Sequence, residues 1–328
     1  MPFRSPCQQK PSRYRALLML FLVYIAWGST YLGNKLSLEV AGPFLVSGAR
    51  NILGGLVLAL VLLVRNRKLH CPSLKDVARH CAMAILVVLM TGSFIVWGQT
   101  QVTSAVAAIV SSLVPVFMIL GGWLCAGEER PTAAQWVGMA LGGAGVILLS
   151  WTQHEAGTST LAGMAIVVLA DISWVTGSLF MKRHPLSSRL TMMESTSLLL
   201  LCGGMEALTV GLLLGEHNAL HWEHLRPGVI VGFSWMVLGG SVLAYGCYLW
   251  LLQNVATPVA ISYEYVTPVI ALFLGAFAGG EHISSSMLCA CVLIIISVLL
   301  VIRHRHGLRV YVRHYLVHRY PPRQHRPG

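Results

Sequence analysis

Long apolar runs separated by short polar breaks fill the chain from residue 16 to residue 302. Each run is apolar on all sides, with no polar stripe at helical period and no two-residue alternation, and most approach the roughly 20 residues that a helix needs to cross a bilayer. The runs fall at 16–33, 43–64, 81–98, 103–125, 133–151, 160–180, 191–214, 229–252, 257–279 and 284–302, which predicts ten transmembrane helices. No segment shows the alternation of an outer-membrane barrel strand. The expected fold class is therefore an all-α polytopic membrane protein, with residues 1–15 and 303–328 outside the bilayer. Arg4, Lys10, Arg13 and Arg15 precede the first run as in a secretory signal. That run is long and lacks a small-residue cleavage site, so it reads as an uncleaved span.

Composition excludes a soluble enzyme. Only 11% of the 328 residues are charged, against about 25% in a soluble domain. The net charge of +11 is first a statement about topology. With both termini inside, 20 of the 23 Lys and Arg lie on the cytoplasmic side, Lys35 and Arg226 lie outside, and Arg50 lies within a span. This bias predicts N-in, C-in and an even number of spans. No basic segment is long enough to form a nucleic-acid-binding module. The eight cysteines form no CxxC pair, and those between spans face the reducing cytoplasm, so neither disulfide nor metal is expected.

An internal repeat organises the spans. Residues 101–128 align without gaps on 254–281, with eight identities among 28 positions, and both copies keep the spacing from Pro115 or Pro268 to a Gly-Glu pair, Gly127-Glu128 or Gly280-Glu281. Ile25, Trp27 and Lys35 likewise match Ile172, Trp174 and Lys182. Residues 16–151 and 160–302 thus form two five-span repeats joined by the loop 152–159. Because five is odd, the second copy enters the membrane from the opposite side. Inverted repeats of this kind are a common design of secondary transporters, whose central site opens alternately to either side.

The motifs resemble the drug/metabolite transporter superfamily, specifically the YedA-like ten-span exporters with two EamA domains. The residues that carry the resemblance run Tyr24 to Tyr31, Gly48 to Arg50, Ala107 to Pro115 followed by Gly127-Glu128, Ile172 to Trp174, Ser262 to Pro268, and Gly279 to Glu281. The likeness covers about residues 15 to 302. It implies an inner-membrane exporter of small metabolites or drugs, with a central cavity lined by both halves. Asp171 and Glu264 depart from the family pattern, which implies small or neutral residues there.

Ionisable groups at a helix centre cost about 2.5 to 3.5 kcal/mol on insertion scales, so they face a partner or a watery cavity. Five lie in predicted spans: Arg50, Asp171, Glu194, Glu206 and Glu264. Asp171 and Glu264 are candidates for proton coupling or cation binding; for Asp171, a structural partnership with Arg50 or a helix hydroxyl stands equally open. Glu264 lies between Tyr263 and Tyr265, and Pro268 leaves its carbonyl without a helical donor. That setting suits a cationic or aromatic ligand. Arg50 reads first as the neutralising partner of Asp171 or Glu264, and second as a holder of a substrate carboxylate. Glu194 is expected at the cytoplasmic interface, while Glu206 lies deeper with both kinds of role open. Trp27 and Trp174, at matching positions, either anchor the interface or wall the cavity from two sides. Pro115 and Pro268 predict kinks or hinges.

The partners expected are a small-molecule substrate, protons as coupling ion, and anionic inner-leaflet lipid along the basic tail. A homodimer stays open. His217 and His221 have a zinc-like spacing but sit in an external loop, where histidines are normally solvated, and neither metal nor cofactor is expected. No GxxxxGK[ST] or HExxH sequence occurs, which excludes an ATP-driven machine without a partner and a zincin-type enzyme.

Overall fold

The computed structural model describes residues 13–66, 69–127, 130–155, 159–184, 186–187, 189–254, 263–280 and 283–303. The side chains of Glu264 and Tyr265, the residues Glu128, Glu281 and Ser262, and the basic tail beyond Arg303 lie outside that description. Every regular element described is a helix. In chain order these are α1 (Arg13–Ser37), α2 (Pro43–Asn66), and α3, which runs from Leu74–Ala84 through a π-helical stretch Ile85–Ser93 into Phe94–Gly98. Next come α4, made of Ser104–Ser111 and Val114–Ala126, α5 (Ala133–Glu155), α6 (Leu161–Arg183) and α7 (Met192–Leu213). Last come α8, built from Pro227–Trp235, a π-helical stretch Met236–Leu243 and Ala244–Asn254, α9 (Tyr263–Gly279) and α10 (Ser285–Arg303).

Seven of these, α1 to α4 and α6 to α8, contain segments long and apolar enough to cross a bilayer. The other three contribute the shorter apolar stretches Ala133–Leu148, Val266–Ala278 and Ser285–Ser297. The side chains are distributed inside out relative to a water-soluble protein. Leu56, Leu60, Leu213, Val231 and Phe277 point outward, while Asn34, Ser47, Asn51, Gln99, Asp171, Ser241 and Ser297 are buried. Lipid solvates the first set and can offer the second no hydrogen bond, so the polar groups turn inward.

α3 starts earlier than hydropathy predicts. Ser73 and Asp76 form a capping box, and the buried His80 lies 2.6 Å from both the Asp76 carbonyl and the Ser195 hydroxyl of α7. Capping and these contacts hold a polar first turn as helix. Glu194 does the same at the start of α7, closing a capping box with Thr191 and accepting the His70 backbone N–H at 2.9 Å. The two glycines of the repeated Pro-to-Gly-Glu motif both have left-handed backbones, Gly127 at φ 60° and Gly280 at φ 65°. Each follows a helix end, where that conformation stops the helix and suits Gly above other residues. Pro115 stands at the start of the second segment of α4, directly after the helix breaks at Ser112 and Leu113. Pro268 lies inside α9.

The two π-helical stretches have equivalent surroundings. That of α3 packs on α6 and α7, and that of α8 packs on α1 and α2. Glycines form the seats: Gly177 receives Val87, Gly203 receives Val88, Gly33 receives Met236 and Gly54 receives Ser241. Small residues allow such close approach, which dispersion then stabilises. On the face where α2 begins, the loop after α7 reaches across. Glu216 accepts backbone N–H groups of Phe44 and Leu45 at 3.2 and 2.8 Å, and Arg226 pairs with Glu39 at 2.7 Å.

A methyl group at Gly203 would run into Val88, so Gly203→Ala is expected to destabilise the protein by about 1 to 3 kcal/mol. Thermal unfolding of the purified protein reads this, with Gly143→Ala as the control, since nothing lies within 4 Å of a Cβ there.

Candidate functional site: an arginine and an aromatic cluster between the halves

α1, α2, α8 and α9 bring together residues that are far apart in sequence. Trp27 of α1 donates its indole N–H to the Gly240 carbonyl of α8 at 3.0 Å. Its ring meets Tyr245 edge-on at 5.5 Å, Tyr248 at 5.1 Å and Tyr263 of α9 at 4.5 Å between centroids. Tyr248 and Tyr263 also meet edge-on, at 5.8 Å. Edge-to-face contact aligns the positive rim of one ring with the negative face of the next, which fixes the cluster as well as burying area.

Arg50 of α2 sits beside this cluster. Its Nε donates to the Ser241 hydroxyl at 3.3 Å, and its electrostatic neighbours are Tyr245 and Tyr31. Gly240 makes the approach feasible: a Cβ at that position would lie 2.9 Å from Arg50 Nη2 and 2.7 Å from Thr30 Cγ2. The same glycine thus carries the carbonyl that Trp27 binds and the gap that the guanidinium fills. Ser241, Tyr245 and Tyr248 are spaced as one face of a helix, so α8 presents a single polar and aromatic stripe to α1 and α2.

The other candidates lie elsewhere or outside the described side chains. Asp171 of α6 is buried, 2% exposed, beside Ala170, whose carbonyl receives the Thr91 hydroxyl of α3 at 3.4 Å. None of the ion pairs among the described residues joins it to Arg50, the pairing suggested for these two. Trp174 packs against Met83, Val87, Val88 and Leu200, a cluster that Tyr245 also touches. Tyr245 thus meets Trp27 directly and shares a hydrophobic cluster with Trp174. Glu206 of α7 is half-buried, and its Oε2 is enclosed with no hydrogen-bond partner among the described residues. Glu264 and Tyr265 share the first turn of α9 with Tyr263.

Sequence reasoning missed Ser241, Gly240, Tyr245 and Tyr248. The i, i+4, i+7 spacing of Ser241, Tyr245 and Tyr248 was visible, but nothing local says which face of α8 meets α2. It also missed Gln99, wholly buried, which donates to the Tyr31 carbonyl at 2.8 Å and accepts from Asn34 at 2.9 Å. Lys35 completes that network by donating to the Gln99 carbonyl at 3.1 Å.

A helical bundle with apolar side chains outward and polar side chains buried has the build of a multi-pass membrane protein. The EamA-like transporter family model matches this chain twice, over residues 14–151 and 161–303. The chain belongs to that family, and it is a multi-pass protein of the inner (plasma) membrane. It is 31% identical over 298 residues to the uncharacterized inner membrane transporter YedA of Escherichia coli strain K12, covering 88% of this chain and 92% of YedA. It is 27% identical to the uncharacterized transporter YvbV of Bacillus subtilis, covering 90% and 93%, and 26% identical to the protein PecM of Dickeya dadantii, covering 86% and 90%. A solved crystal structure shares the fold with a TM-score of 0.60 at 19% identity, over 88% of this chain and 96% of that one.

Gly240→Ala is expected to cost about 1 to 3 kcal/mol through the forced shift of Arg50 and Thr30. Adding Thr30→Ser, which removes the Cγ2 methyl, should recover part of the loss in thermal unfolding. A double variant no more stable than Gly240→Ala alone would show that this contact does not limit the site.

Proposed function

We propose that the protein is a secondary active exporter of small organic solutes that works by alternating access, with ten transmembrane helices arranged as two inverted five-helix repeats, N-in and C-in. The observation that carries this reading is the exchange of packing partners. The third helix of the first half lies on the first two helices of the second half, and the third helix of the second half lies on the first two of the first. α2 with α7 and α5 with α10 form the extensive pairings expected near a pseudo-two-fold axis. Two halves that each hold the other's equivalent helices can exchange conformations at little cost in contacts, which lets one central site face either side in turn. The double match of the family model supports the same division.

Transport at the site is read as follows. Trp27, Tyr245, Tyr248 and Tyr263 supply aromatic walls, Arg50 supplies a fixed positive charge, and Trp174 packs on the hydrophobic cluster that Tyr245 also touches. Asp171 and Glu264 are proposed to couple export to proton entry, the carboxylate gaining its proton on one side of the membrane and losing it on the other. Pro115, at the break in α4, and Pro268, within α9, serve as bending points as the halves rock. Transport driven by ion gradients also fits a chain with no phosphate-binding loop.

The test is uptake into inverted membrane vesicles with an imposed pH gradient, using labelled amino acids and ethidium as the panel. Uptake of at least one compound should rise with the gradient, and Asp171→Asn combined with Glu264→Gln should lower that stimulation by about tenfold or more. Transport that ignores the gradient and survives the double substitution overturns proton coupling.

A further inference from the structure

A guanidinium has five N–H donors in a rigid fork. At Arg50 only Nε finds a side-chain acceptor among the described residues, the Ser241 hydroxyl at 3.3 Å. The ion pairs among those residues join His70 to Glu194, His221 to Glu223 and Arg226 to Glu39, and none reaches Arg50. Its electrostatic neighbours are two neutral phenols. A positive charge within a span is expensive without a counter-ion, and among the described residues none is paired with Arg50; the fold makes room for the guanidinium through Gly240. The outer edge of the fork, Nη1 and Nη2, is the part suited to two parallel bonds with a carboxylate. Beside it stands Tyr245, whose ring meets Trp27, and Trp27 in turn meets the tyrosines at 248 and 263, in one aromatic cluster.

We propose that Arg50 is the charge-recognition residue for the transported molecule, and that the substrate class is flat organic carboxylates, anionic or zwitterionic. The carboxylate lies on the Arg50 fork and supplies a counter-charge, while the apolar body rests against Trp27, Tyr245 and Tyr248. This inference rests on the carrier reading above and narrows it. A ligand whose only charge is positive meets the fixed guanidinium as a like charge in a medium of low dielectric, so the same site selects against it. Bidentate pairing needs the planar fork, which makes lysine an incomplete substitute.

The test uses the full chain in lipid nanodiscs and three probes with one indole body: indole-3-propionate, tryptamine and neutral 3-ethylindole. Calorimetric titration should give affinity for the acid about tenfold or more above that for the amine or the neutral compound. Arg50→Gln should remove that preference, bringing the affinity for the acid down to that for 3-ethylindole measured on the same variant, and Arg50→Lys should fall between. Equal affinity for the acid and the amine in the wild type, or a preference that survives Arg50→Gln, overturns the proposal. If Arg50→Gln does not fold, the ligand series on the wild type and on Arg50→Lys decides it. Counterflow in proteoliposomes separates this from the carrier reading. Arg50-dependent binding of the acid without flux supports the site and overturns the carrier. Flux of tryptamine that Arg50→Gln leaves intact supports the carrier and overturns the site.

Discussion

Hydrocarbon offers no hydrogen-bond partner, and most of this molecule follows from that constraint. Helices satisfy their own backbones, so the described elements are helical throughout. Polar side chains must then be satisfied by one another, and they are gathered between helices: Gln99 with Asn34 and the Tyr31 carbonyl, His80 with Ser195, Ser197 with the Gly55 carbonyl at 2.7 Å. Since lipid tails are as apolar as leucine, the hydrophobic effect does little to bring helices together within the bilayer. Close packing and these interior bonds hold the bundle instead.

Glycine turns that constraint into architecture. At Gly33, Gly54, Gly177 and Gly203 a helix of one half accepts a side chain from the π-helical stretch of the other half. At Gly240 the missing Cβ leaves room for a charge. The π-helical stretches widen the helices at equivalent places, and such local widening often accompanies functional sites because it re-aims side chains at modest cost. Within α3 the Thr91 hydroxyl bonds the Leu86 carbonyl at 2.8 Å, and Ser173 of α6 bonds the same carbonyl at 3.0 Å. Backbone acceptors are thus satisfied where the regular ladder is altered.

Charge placement divides the interior into two zones. Arg50 lies beside the aromatic cluster formed by α1, α8 and α9, whereas Asp171 is buried on α6, and no ion pair among the described residues joins the two. Membership of the EamA-like transporter family sets the general task.

Sequence alone determined what depends on neighbours along the chain. Long apolar runs specified helices and their approximate ends, and the conserved spacing from Pro115 to Gly127 and from Pro268 to Gly280 pointed to matching helix ends, which both glycines close with left-handed backbones. Local capping at Ser73 and Asp76 outweighed hydropathy and moved the start of α3 to Leu74. Which face of each helix turns inward was not legible, because a helix apolar on every side carries no directional signal. Ser241 and Tyr245 became a site only through contact with Arg50 and Trp27, roughly two hundred residues away. Tertiary structure decided that pairing, and with it the separation of Arg50 from Asp171. Helix formation is settled over a few turns of chain, whereas the partner of a buried charge is settled by which helices meet.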